Sequence, residues 1–262
     1  MTAIPRCWDA EVVGVRDAGP FQVLTVSGAP GPSRPGQFAA VTVGGDRLLR
    51  RQMWLDRTVD SEDLLEVIVG HHAGLTPRTR GDRLNVIAPL GRPFSMPNAP
   101  LSVLLVGSGP ASAALVPLAE ALVAAGCRVV CLLLGEHVYG RLELRRAAST
   151  MRHEPAPATA EQIRGHVIDS LDPEPDLVYS AGSAKQIAAY VDLLGDLPHQ
   201  VALDAGPICG TGVCQGCVLP VQGNDGYARL ARICREGAVF HGHHILWAQT
   251  GTDFEYLVGA GP

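Results

Sequence analysis

Leu101-Ser-Val-Leu-Leu-Val-Gly-Ser-Gly-Pro-Ala-Ser112 is where the grammar of the chain changes. Leu101–Val106 reads as a buried strand, and Gly107-Ser-Gly-Pro-Ala-Ser112 as a small-residue turn. A helix is predicted from Ala113 to Ala125, with Leu115, Leu118, Ala119 and Leu122 at helical spacing and Gly126 ending it. A second buried strand, Arg128–Leu134, follows. Strand, crossover helix and strand make the βαβ unit of a parallel sheet. Asp176–Tyr179 reads as a further strand, and Ser183 as the cap of a helix carrying Ile187, Val191 and Leu194.

Upstream of Leu101 the pattern differs. Short β-rich runs occupy Glu11–Val15, Phe21–Val26, Gln37–Val43, Leu64–Val69 and Arg83–Ile87. Turn signals such as Gly28-Ala-Pro-Gly-Pro-Ser-Arg-Pro-Gly36 separate them. Short strands at this spacing predict an antiparallel barrel or sandwich. Pro93-Phe-Ser-Met-Pro-Asn-Ala-Pro100 is a linker. Downstream, from Val201, the chain is rich in Gly and Cys, with one hairpin signal at Gly223-Asn-Asp-Gly226. There is no internal repeat.

Composition narrows the function. The 262 residues suffice for one large domain or two small ones with an appendix. At 47% hydrophobic and 18% charged residues the chain is a globular protein. A net charge of −5 without a basic run, and 5% aromatics, argue against nucleic acid as a partner. No apolar run is long enough to span a bilayer, and Met1–Asp9 lacks the apolar core of a signal peptide, so the expected location is the cytoplasm. Seven cysteines in a reducing compartment are ligands or buried thiols rather than disulfides. Cys127 and Cys131 read as small core residues, and Cys7 stands apart.

Four cysteines form a motif: Cys209-Gly-Thr-Gly-Val-Cys214-Gln-Gly-Cys217, then Cys234 beyond a hairpin of Val218–Val221 and Ala228–Ala231. C-x4-C-x2-C with a distant fourth Cys is the plant-type ferredoxin spacing and points to a [2Fe–2S] cluster. Gly210, Gly212 and Gly216 allow a tight loop whose N–H groups turn toward the sulfurs. Structural zinc is the rival. Zinc sites use paired C-x2-C or Cys/His knuckles, and here one C-x2-C exists, with the x4 spacing before it. Four buried thiols without a metal are the bland alternative.

With this motif the chain resembles the electron-transfer subunit of bacterial dihydroorotate dehydrogenase, within the ferredoxin-reductase-like flavoproteins. The resemblance runs along nearly the whole chain and is strongest over Cys209–Phe240, with Cys217-Val-Leu-Pro220 and Cys234-Arg-Glu-Gly-Ala-Val-Phe240. Pro35-Gly-Gln-Phe-Ala-Ala-Val41, Gly81-Asp82 and Ala88-Pro-Leu-Gly-Arg-Pro-Phe94 also match. It implies a flavin-binding β-barrel over residues 1–97, a parallel-sheet NAD(P)-binding α/β domain over 98–200, and a [2Fe–2S] segment with a partner-docking tail over 201–262. Electrons would pass from NAD(P)H to FAD, to the cluster, and on to the flavin of a separate dehydrogenase subunit in a heterotetramer. The dehydrogenase chemistry would lie on that partner, and no catalytic residue is assigned here.

The resemblance places the FAD site at Arg51, Gln52, Met53 and Trp54 and at Leu75 and Thr76, and the nucleotide turn at Gly107, Ser108 and Gly109. Arg51 suits a pyrophosphate as a forked donor; a surface arginine beside Arg47 and Arg50 is the bland alternative, and its place in the family pattern favours flavin. The family pattern Arg-Pro/Ala-aromatic-Ser departs at Met53 and Trp54, and its Gly-Thr is Leu75-Thr76. The Gly-Gly-Gly-x-Gly turn has become Gly107-Ser-Gly-Pro-Ala111, and Cys-Gly-Pro has become Ala181-Gly-Ser183. These departures gather on the organic cofactor sites and spare the cluster. They motivate a second expectation, a flavin-free or NADH-inactive iron–sulfur scaffold subunit in which Trp54 fills the flavin pocket. Glu136 reads as a solvated loop acid before a ribose ligand, and His241-Gly-His243-His244 as surface rather than metal site.

Overall fold

The computed structural model describes residues 4–42, 50–59, 63–70, 78–155, 165, 174–204 and 207–250. Six antiparallel strands come first: β1 (Arg6–Ala18), β2 (Phe21–Ser27), β3 (Phe38–Val41), β4 (Arg50–Val59), β5 (Leu64–Gly70) and β6 (Arg83–Leu90). They run β4-β3-β6-β1-β2-β5, and β5 pairs again with β4, which closes the barrel.

The period of two along each strand decides what faces where. Val12, Leu24, Ala39, Met53, Leu55, Val67 and Val86 fill the barrel interior. Their neighbours Val23, Ala40, Trp54, Ile68 and Ile87 point outward, yet they too are buried, in a cluster shared with the second domain. β4 escaped the sequence reading, which found the other five strands, because Arg50–Asp56 mixes charged and apolar residues and has no β-branched residue before Thr58.

The second domain is a parallel sheet: β7 (Ser102–Ser108), β8 (Arg128–Leu134), β9 (Thr150–Glu154), β10 (Leu177–Ser183) and β11 (His199–Asp204), in the order β9-β8-β7-β10-β11. The order reverses between β7 and β10, and the carboxyl ends of strands at such a reversal are the usual ligand position in these sheets. The predicted helix over 113–125 is two pieces, a 3-10 turn over Gly109–Ala114 and then α1 (Leu115–Ala124). Pro110 fixes that first turn, and the run of small residues lets it pack closely on the sheet. α2 (Arg141–Ala147) and β9 are short and polar and gave no sequence signal. α3 (Ala184–Leu194) begins as expected at Ser183, whose side chain accepts from the Gln186 N–H in a capping box.

The C-terminal residues are stitched into both sheets. β12 (Pro207–Ile208) adds an edge to the barrel beside β4. β13 (Val218–Gln222) and β14 (Ala228–Arg232) form the expected hairpin, followed by the single turn α4 (Ile233–Glu236). β15 (Val239–His241) then pairs antiparallel with β11, which itself runs across residue 200. Among the described residues no helix is long and apolar enough to cross a membrane.

Candidate iron–sulfur and flavin sites

β12 pairs with Arg50 and Arg51 of β4 and delivers the chain directly to Cys209. The loop then presses against the barrel wall. At Gly210, with φ +77°, a Cβ would lie 2.8 Å from that of Ala40 and 3.1 Å from Ile87, so only glycine fits. Gly212 is also left-handed (φ +81°) and lies against the stem of Arg235. Beyond it, Arg232 Nη1 donates to the Gly212 carbonyl at 3.2 Å, and the Ile233 N–H donates to the Cys217 carbonyl at 2.9 Å. The hairpin and α4 thereby bring Cys234 back to the loop.

The four thiols form two pairs. Cys209 interacts with Cys214, and Cys217 with Cys234. The charge of Cys209 is felt at both Cys217 and Cys234, so the two pairs share one neighbourhood. Backbone and hydroxyl donors converge on the sulfurs: Thr211 N and Oγ1 reach Cys209 Sγ at 3.4 and 3.3 Å, and Gly216 N reaches Cys214 Sγ at 3.4 Å. Burial works to raise the Cys209 thiol, but the donors from Thr211 and Cys214 bring it down to about 5. The hydrogen bond from Cys234 lowers Cys217 to about 6, and the same bond, with burial, raises Cys234. Four sulfurs in one neighbourhood with N–H groups aimed at them suit a [2Fe–2S] cluster, whose net negative charge such donors offset. Among the described residues no three His, Cys, Asp or Glu side chains surround a single point.

The site has an inner and an outer edge. Cys217 and Cys234 are buried in the same apolar cluster as Trp54, whereas Cys214 is exposed. Val213, next to Cys214, is 80% exposed, and the hairpin carries two more exposed apolar side chains, Tyr227 at 72% and Leu230 at 67%.

The next residues of β4 are those singled out for flavin. Arg51 and Gln52 are partly exposed, and Gln52 Nε2 donates to the Leu203 carbonyl at 3.1 Å, tying the barrel to the end of β11. Arg51 acts on Asp204, which burial raises to about 6 against the pull of that guanidinium. Met53 points into the barrel interior, so the structure separates it from Trp54. Trp54 is 2% exposed and meets Phe38 edge-on at 6.1 Å. Its indole N–H is buried and has no hydrogen-bond partner. An orphaned buried donor is costly, and it fits a bound group that brings an acceptor. Leu75 and Thr76 lie outside the described residues.

The nucleotide turn sits at the carboxyl end of β7. Gly107 is small for packing, because a Cβ would lie 3.0 Å from both Leu115 and Ser112. Ser108 is buried, and its Oγ donates to Gln186 Oε1 at 2.9 Å, tying the end of β7 to the first turn of α3. Gly109 takes φ +57° with open space beside it. Tyr139 then locks this turn to the barrel. Its N–H donates to Ser112 Oγ, and its hydroxyl donates to Asp56 Oδ2 on β4, both at 2.8 Å. Arg16 Nη2 completes the lock at 3.2 Å from the same oxygen. Glu136 and the histidines 241, 243 and 244 are exposed.

Comparison with known proteins agrees with this geometry. Residues 208–246 match the iron–sulfur cluster binding domain of dihydroorotate dehydrogenase B. The electron-transfer subunit of dihydroorotate dehydrogenase B (NAD(+)) from Streptococcus thermophilus is 31% identical over 248 residues, 88% of this chain and 95% of that one. The chain belongs to this family of electron-transfer subunits. The Geobacillus thermodenitrificans member is 28% identical over 85% of this chain and 91% of its own. Among solved structures, an NADH-dependent reduced ferredoxin-NADP oxidoreductase superposes with a TM-score of 0.75 at 22% identity, covering 95% of this chain and 96% of that one. A ferredoxin reductase of carbazole 1,9a-dioxygenase gives 0.60 at 19% identity, over 74% and 64%. The fold is thus ferredoxin-reductase-like.

Sequence reasoning missed two residues of this electron-transfer subunit. Arg50 Nη1 donates to the Cys209 carbonyl at 2.9 Å, a contact hidden because only Arg51 of the Arg doublet matched the family pattern. Tyr139 lies in a loop whose sequence carries no motif.

Proposed function

We propose that the chain links NADH oxidation to a flavin-dependent dehydrogenase subunit of the dihydroorotate dehydrogenase type, holding FAD on β4 and a [2Fe–2S] cluster on Cys209, Cys214, Cys217 and Cys234. When bound, FAD would accept one hydride, which carries two electrons, and the cluster would pass those electrons on singly. The chain's own residues supply position and environment. Arg51 binds the flavin pyrophosphate, and Trp54 offers its buried N–H to the flavin edge. Thr211 and Gly216 donate to the thiolates and offset their charge. Cys217 and Cys234 keep the inner edge dry, while Cys214 meets the partner. Gly107, Ser108 and Gly109 frame the site for the nucleotide. Residues 1–97, 98–200 and 201–262 are the three working parts, in a cytoplasmic heterotetramer.

The observation that carries this reading is the joining of the two thiol pairs, through β12, to the strand that bears Arg51 and Trp54. Anaerobic purification, an absorption spectrum, and assay of iron, sulfide and acid-released flavin test it. Cluster and flavin at near-equal amounts support it, and Cys214→Ser should alter or abolish the cluster spectrum. An unchanged spectrum in that variant would refute the ligand set. A second reading rests on the complete burial of Trp54 against Phe38. If that indole plugs the pocket, the chain is a flavin-free iron–sulfur scaffold, and the same purification yields cluster without flavin.

A further inference from the structure

Arg50 stands at the junction of the two sites and belongs to neither. Its Nη1 donates to the Cys209 carbonyl at 2.9 Å, and its Nε and Nη2 donate to Asn85 Oδ1 at 3.2 and 2.5 Å. Asn85 cannot turn away. Its Nδ2 donates to Asp9 Oδ1 at 2.9 Å, and its backbone is held by Thr42 on both sides, Asn85 N to Thr42 Oγ1 at 2.9 Å and Thr42 N to Asn85 O at 3.0 Å. A chain of hydrogen bonds therefore runs from β1 through β6 and β4 to the peptide of the first cluster cysteine. The planar guanidinium is suited to this, since its fork grips one acceptor while the other arm reaches a second. Both acceptors are neutral, so the positive charge is delivered to the loop without a carboxylate consuming it in these contacts.

We infer that Arg50 is a positioning residue for the cluster: it pins the Cys209 corner to the barrel and raises the cluster's reduction potential. Reduction adds one negative charge to a centre already held by four thiolates. A fixed cation beside a ligand's own peptide favours the reduced form, as hydrogen bonds and charges around such clusters do. The pin has its own role. β12 is only two residues long, so the ladder alone leaves Cys209 weakly held, and Arg50 adds the side-chain tie. This inference rests on the cluster reading above.

The test uses the full chain, purified anaerobically, with Arg50→Gln and Arg50→Lys. Wild type is first assayed for iron and sulfide, and a chain without either refutes the cluster reading itself. Given a cluster, its midpoint potential is measured by titration followed by electron paramagnetic resonance, and its loss to a chelator is timed. Arg50→Gln should shift the potential to more negative values and speed cluster loss at least threefold. Arg50→Lys keeps the charge and lacks the fork, so its potential should stay nearer wild type while loss is still accelerated. A purely structural role would not move the potential. If Arg50→Gln retains its cluster at the wild-type potential, the inference falls while the cluster reading stands. If Arg50→Gln holds no cluster, Arg50→Lys decides, and a wild-type rate of loss in that variant overturns the inference.

Discussion

Trp54 poses the sharpest question at the scale of one residue. Its ring fills space among Phe38 and the interdomain core, and its N–H has no partner. These two facts favour opposite readings, and substitution separates them. Trp54→Phe keeps most of the volume and removes the donor. If the indole bonds the flavin, this variant should weaken flavin binding about five- to tenfold, the worth of one hydrogen bond of about 1 kcal/mol. Trp54→Ser opens the pocket, and under the plug reading it should gain flavin that the wild type lacks. Flavin fluorescence on dilution reads both. Unchanged affinity in Trp54→Phe removes the donor role.

At the scale of elements, the cluster loop depends on how closely it lies on β3 and β6. Gly210→Ala would place a methyl 2.8 Å from Ala40 at a left-handed φ, so the loop must lift. The expected outcome is loss of iron and sulfide with flavin content retained, and full iron content would count against this packing. The β10–β11 pair carries a different device. His199 is buried, its Nε2 meets Ser180 Oγ at 2.8 Å, and its Nδ1 has no partner. Burial, with help from His243, lowers it from 6.5 to about 3. The unfolded chain therefore takes up a proton near pH 6.5 that the folded chain refuses until about pH 3. Stability from this group is whole above that window and falls as pH drops, by about 2 kcal/mol between pH 7 and pH 5. In His199→Asn this loss should vanish, so unfolding curves of variant and wild type should converge on acidification. Curves that stay parallel would show that His199 titrates normally.

The elements also show what sequence carries. Five barrel strands, the β7–α1–β8 unit, the Ser183 cap and the hairpin were readable because each has a β-rich or helically spaced apolar run, a cap or a turn signal of its own. β4 and β11 were not, because Arg50–Asp56 mixes charged with apolar residues and His199–Asp204 holds a single β-branched residue, Val201, with no alternation. The four cysteines announced themselves by spacing, but their division into pairs 209/214 and 217/234 depends on the hairpin and α4. Arg50 was invisible because its partner, a peptide oxygen 159 residues away, has no side-chain signature.

At the scale of the whole molecule, the C-terminal segment is an edge of both sheets, through β12 and β15. The cluster is thereby fixed to the barrel on one side and to the nucleotide domain on the other. What remains outward is Cys214 with Val213, Tyr227 and Leu230, apolar side chains that gain nothing in water. Single exposed apolar residues are ordinary, but Val213 next to the exposed Cys214 and two more on the hairpin that follows Cys217 suit docking, because electron transfer needs the acceptor close. Leu230 sits on β14, outside the cysteine loop, so it can be changed without touching a ligand. Leu230→Glu should weaken association with the dehydrogenase subunit at least tenfold, about 1.4 kcal/mol, by setting a charge in an apolar contact. The cluster spectrum of the isolated chain should be unaffected, which separates lost docking from lost folding. Titration of the dehydrogenase subunit by calorimetry reads the affinity. Wild-type affinity in this variant and in Tyr227→Lys would move the interface away from the hairpin, and would require the electron to leave by another edge of the cluster.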